Sequence, residues 1–143
     1  MRRVIILTLL VFSTTAISTE QAEPSKNRLQ LVMLDLLTDT QSLTEGIFKE
    51  DFKLIASSAD KIANHPNPGP EILQQVKKSL ATEMPKFKMH DVKVHNAAAS
   101  IVELVAKNDM SAILAQYHEM VDGCQSCHSQ FKKRISLELN KTL

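Results

Sequence analysis

From about Asn27 onward the apolar positions recur at helical spacing. Leu29, Met33, Leu36, Thr40, Leu43 and Ile47 step by alternating fours and threes, a heptad-type seam in which only Thr40 is polar. Leu31, Val32, Leu34 and Leu37 widen that stripe, and the stretch from Glu45-Gly46 to Glu50 is expected to turn the chain. A second helix is predicted from Asp51, an N-cap residue type, with Phe52, Ile55, Ala56, Ala59, Ile62 and Ala63 on one face. It stops at Asn64-His65-Pro66-Asn67-Pro68-Gly69-Pro70, because three prolines and a glycine cannot continue a helix. Ile72, Leu73, Val76, Leu80 and Met84 mark a shorter helical excursion that Pro85 interrupts.

A third main helix is expected from about His90 to Lys107, its apolar face made of Val94, Ala97, Ala98, Ile101, Leu104 and Val105. Asn108-Asp109 breaks the chain, and Asp109 can cap the next helix. That fourth helix carries Met110, Ile113, Leu114, Tyr117, Val121, Cys124, Cys127, Phe131 and Ile135, with Lys132, Lys133 and Arg134 late, where cations suit the negative end of the dipole. Four amphipathic helices with short or moderate connections predict an all-α fold, an antiparallel four-helix bundle.

Composition supports this. Hydrophobic residues make up 43%, but aromatics only 4%, with Gly 3 and Trp 0, so strand-forming runs and turn formers are scarce. A formal net charge of +1 gives no reason to expect nucleic acid as a partner.

The start of the chain reads as an address. Arg2 and Arg3 precede an apolar run from Val4 to Phe12 broken only by Thr8, and Ala16-Ile17-Ser18 follows the small-residue cleavage rule. The run is far shorter than the ~20 apolar residues that span a bilayer. Residues 1–18 are therefore expected to be a cleaved signal peptide and 19–143 a single mature domain, exported to a bacterial periplasm, with no stable membrane span after cleavage. Loss of Arg2 and Arg3 leaves that domain close to neutral.

The chemistry lies in Cys124-Gln125-Ser126-Cys127-His128. On a helix, Cys124 and Cys127 share one face, and His128, four after Cys124, projects beside them. Haem carries two vinyl groups on one edge, so one helical turn supplies two thioether tethers and an imidazole for the iron. Three other readings explain the spacing less well. A thioredoxin-like pair needs a strand-to-helix context. A zinc site needs about four ligands, and there is no second Cys pair. A disulfide between residues three apart closes almost no loop. One covalently attached haem c per chain is expected, with His128 bound to iron.

With that motif late in the last helix, the chain resembles the class II c-type cytochromes, the cytochrome c-prime family. The continuation His128-Ser129-Gln130-Phe131-Lys132 is similar to the family's C-H-x-x-[YF]-[RK] ending. The resemblance covers roughly Asn27 to Leu139. It implies a periplasmic four-helix bundle with haem between the helices and helix one crossing the distal face. Arg28 resembles the family's early helix-one arginine, which lies near a haem propionate, with a solvated surface charge as the alternative. Phe131, one turn after His128, would pack on haem or on the bundle core.

The other side of the iron decides function. The resemblance points to the residue four after Arg28, which is Val32, whereas the seam places Met33 toward the core as a sixth ligand. His65 or His95 could instead supply an imidazole, and an apolar wall from Val32 or Leu36 would leave iron five-coordinate. His118, ten before His128 on nearly the same face, cannot reach the distal side. Axial methionine or histidine suits the function expected, a one-electron carrier with periplasmic redox partners, while an open position suits the alternative, a binder of a diatomic gas such as nitric oxide. Nothing resembles a catalytic constellation beyond haem, so no enzyme is expected. Leu31 or Leu34 exposed on helix one would allow a homodimer.

Overall fold

A computed structural model describes residues 27–141. The expected signal peptide lies outside the described residues. The elements are α1 (Arg28–Lys49), α2 (Phe52–Ala63), α3 (Pro70–Leu80), α4 (Met84–Val105), α5 (Met110–Cys127) and α6 (Lys133–Leu139). A 3-10 turn at Ala81–Glu83 joins α3 to α4, and a π-helical turn at His128–Lys132 joins α5 to α6. There is no strand among the described residues. The protein is an all-α four-helix bundle of α1, α2, α4 and the α5–α6 rod, with α3 in the crossover.

Local chemistry sets the helix starts. Asn27 forms a reciprocal capping box: its side chain accepts from the Gln30 N–H at 3.0 Å, and the Gln30 side chain accepts from the Asn27 N–H at 2.9 Å. Asp51 accepts from the Leu54 N–H, and Asp109 from the Ala112 N–H, both at 3.0 Å. Pro70 opens α3, where a missing N–H costs nothing. Pro85 does the same in the first turn of α4. It therefore starts a helix where an interruption was expected, and α4 begins at Met84 rather than His90.

Reversals are tight. Glu50 (φ 53°) closes α1 in the left-handed region, and Asn108 (φ 52°) turns the chain between α4 and α5. Gly46, expected in the turn, is instead buried inside α1. A Cβ there would stand 3.0 Å from the Ile55 backbone nitrogen, so the missing side chain lets α1 and α2 approach closely.

α4 is the central helix, packed on α2 and on α5, while α1 packs on α2 and α3 on α6. The main cluster includes Leu43, Ile55, Ile62, Ala98, Ile101, Ile113 and Met120. Full burial of each larger side chain is worth about 1.5–3 kcal/mol. In α5 the inward residue is Met120; the neighbouring Val121, expected on the apolar face, is exposed. A second cluster joins Val76 and Leu80 of α3 to Phe131, Ile135 and Leu139 at the end of the rod.

Candidate haem site

The two thiols sit where these clusters meet. Cys124 packs against the main cluster, and Cys127 against the second one with Leu29, Ile72, Met84 and Phe87. Three residues apart on α5, both are half-buried free thiols. Gly123, next to Cys124, lies against α4, with the His90 carbonyl and Val94 around the position a Cβ would take. Close α4–α5 contact thus fixes the turn that carries the motif.

Burial pushes the Cys124 thiol above its usual range. The Cys127 thiol is pushed up to about 11, by desolvation first and then by the charge of the Asp91 carboxylate. Both therefore remain neutral thiols at physiological pH. The His128 ring, exposed on one side, is held below its usual range by partial burial and by the Lys132 charge. It is a neutral imidazole at physiological pH, the form that offers a lone pair to iron.

The π-helical turn begins at His128. Such turns shift register by one residue and recur at functional sites. Here the turn accompanies an exposed His128 and a Phe131 buried to 1%. Phe131 packs edge-on against Phe87, with ring centroids 5.9 Å apart, and Arg134 lies 5.8 Å above its ring. Phe131 is part of the second core cluster.

His90 is the residue that sequence reasoning undervalued. Expected at a helix start, it lies within α4 and is only 8% exposed. Its ring is 6.2 Å from that of Phe131, and its Nε2 lies 3.1 Å from the Gln130 amide nitrogen. A donor amide makes that Nε2 the acceptor. The signal was legible: His90, Val94, Ala97, Ala98 and Ile101 form one buried stripe at spacings of three and four.

On α1 most of the expected seam does face the core, Leu36, Leu43 and Ile47 in the main cluster and Leu29 on the second, but Met33 does not. Val32 is 5% exposed, and Met33 is 37% exposed. Adjacent helical residues point 100° apart, and apolar residues crowd the stretch from Leu29 to Leu37, so either Val32 or Met33 continues an apolar pattern. The buried stripe runs through Val32, Leu43 and Gly46, with Leu36 partly buried. The expectation that Met33 faces the core is therefore corrected.

Arg28 is exposed at the start of α1, one residue before Leu29, which packs against the same cluster as Cys127. Beside it, the Asn27 side-chain nitrogen is a buried donor without a partner among the described residues. His65 and His95, the histidines considered for the distal side, stack on each other with centroids 4.7 Å apart. His118 is exposed on α5.

These residues fit haem c. Two neutral thiols share one helical face at a division between apolar clusters, a neutral imidazole follows, and a cation and a free donor at the start of α1 suit an acidic substituent. No helix among the described residues is long and apolar enough to cross a membrane. No curated protein and no solved structure matches the chain. The sequence model of the family described as Cytochrome C' matches residues 27–132, from the α1 cap through the π-helical turn. With most of its length matched, including the motif and the helix that faces it, the chain belongs to the cytochrome c′ family, whose members carry haem c and its iron.

Proposed function

We propose that this chain is an exported haem c protein whose sixth iron position is open and takes a diatomic gas such as nitric oxide. The observation that carries this reading is the phase of α1: Val32 is buried, and Met33 is turned toward solvent. In the family's arrangement helix one crosses the distal face, so the side chain offered there is apolar and has no lone pair. Val32 and the partly buried Leu36 then exclude water from that side. Haem c, when bound, supplies an iron that binds diatomic ligands and exchanges one electron.

The remaining roles follow from position. Cys124 and Cys127 form the two thioethers, one haem per chain, and His128 is the proximal ligand. Arg28 and the Asn27 amide hold a propionate. The signal peptide delivers the chain to the periplasm. There it works as a binder without substrate turnover. A homodimer is supported by the outer face of α1, where Leu31, Leu34 and Leu37 are exposed.

A second reading is a one-electron carrier for periplasmic partners, since haem iron exchanges one electron.

Expression of the full chain beside a cytochrome maturation system tests both. A coloured protein, heavier than its mature polypeptide by one haem and showing a high-spin spectrum that changes with nitric oxide, is the expected result. A sulfur-to-iron charge-transfer band in the far red, abolished in Met33→Ala, would replace the gas-binding reading with the carrier. A colourless product of bare polypeptide mass would end both.

A further inference from the structure

Three potential ligands converge on the face between α2 and α4. His65 lies in the loop after α2, while Asp91 and His95 stand one turn apart on α4. One ligand atom from each falls within 4.8 Å of the other two. Two donors on one tetrahedral ion stand about 3.4 Å apart, given metal–ligand bonds of about 2.1 Å. Small side-chain rotations therefore close the set.

Backbone carbonyls fix the tautomer of both imidazoles. His95 Nδ1 lies 2.6 Å from the Ala63 carbonyl oxygen, and His65 Nδ1 lies 3.2 Å from that of Pro66. A carbonyl oxygen can only accept, so each ring carries its proton on Nδ1. Nε2 is then the atom with a free lone pair. On His95 that Nε2 lies 3.7 Å from Asp91 Oδ1. Protein ligands to metals characteristically use the second ring nitrogen in this way, with a backbone carbonyl fixing the tautomer.

The surroundings favour a cation. Asp35, Asp39 and Lys61 line the groove beside His65, and Asp60 and Glu103 line that beside His95, so acids outnumber bases. Prolines Pro66 and Pro68 restrict the loop, and Pro68 is buried. Little backbone ordering is left to be done on binding.

We propose that His65, Asp91 and His95 form a site for one divalent late d-block cation, of which Zn2+ and Cu2+ suit two imidazoles and a carboxylate. Binding pins the α2–α3 loop to α4. The inference does not depend on the gas-binding reading, since none of the three residues is used there.

Calorimetric titration of Zn2+ into the untagged, purified haem protein at neutral pH tests it. One Zn2+ per chain is expected. His65→Ala and His95→Ala should each weaken binding at least about tenfold, and Asp91→Asn severalfold. His118→Ala on α5 should change nothing. Copper added in place of zinc should show paramagnetic-resonance hyperfine structure from two nitrogens, lost in His65→Ala. Circular dichroism checks that each variant is folded. His65 and Asp91 are loop and surface positions, so they keep the test decisive if His95→Ala unfolds. No zinc binding by the parent chain, or equal binding by folded His65→Ala and Asp91→Asn, overturns the proposal.

Discussion

Gly123 lies so close to Val94 that a Cβ on the glycine would stand 2.9 Å from Val94 Cγ2. The contact brings α5 against α4 one residue before Cys124. Gly123→Ala is expected to destabilise the bundle by about 1–3 kcal/mol, as overpacking does. The loss should shrink in a Val94→Ala background, where the clashing methyl is gone. Urea unfolding of the two single variants and the double variant measures this coupling. Additive losses would show that the two residues do not compete for the same space.

Thr44 and Tyr117 tie α1 to α5. The Thr44 hydroxyl donates to the Thr40 carbonyl at 2.8 Å, so the Tyr117 hydroxyl, also 2.8 Å away, donates to Thr44. Tyr117→Phe should cost about 0.5–1.5 kcal/mol, the usual worth of one such bond. Thermal melting of the variant reads it, and an unchanged midpoint would show that the bond contributes nothing.

Val32 and Met33 should respond oppositely to truncation. Val32→Ala removes two methyl groups from a buried site and should cost about 1–3 kcal/mol. Met33→Ala should stay within about 0.5 kcal/mol, as exposed positions do. Equilibrium unfolding of the two variants decides the phase of α1 without reference to haem. A large loss at Met33 would reverse the assignment.

Asp122 offers a test by titration. A hydrogen bond and then the charge of Lys93, 2.7 Å away, hold its carboxyl below the usual carboxylate range. A depressed folded value means that the stabilisation is present above the unfolded value and is lost as pH falls through the folded one. Lys93→Gln should return the Asp122 midpoint upward, as followed by carboxyl NMR signals. Both groups are solvated, so the pH at which the bundle unfolds in acid should hardly move.

Much of the architecture was legible in the chain because it is local. Capping by Asp51 and Asp109 needs only a short polar side chain before an apolar run, and both caps are present. Spacing alone put Cys124, Cys127 and His128 on one turn. Errors arose where two adjacent residues were both apolar, as at Val32–Met33 and Met120–Val121, or where a breaker had two uses. Pro85 could end one helix or begin another, and Gly46 could turn the chain or admit a neighbour.

By itself the sequence determined helix content, the starts of α1, α2 and α5 and the thiol–thiol–imidazole set, since each depends on residues within about one turn of each other. Tertiary structure alone decided which apolar residue of a pair is buried, because burial is set by what the opposing helix presents. It also decided that His90 lies against Phe131 and that His65 meets His95. Their partners are distant in sequence, and only the packing of α4 against its neighbours brings them within reach.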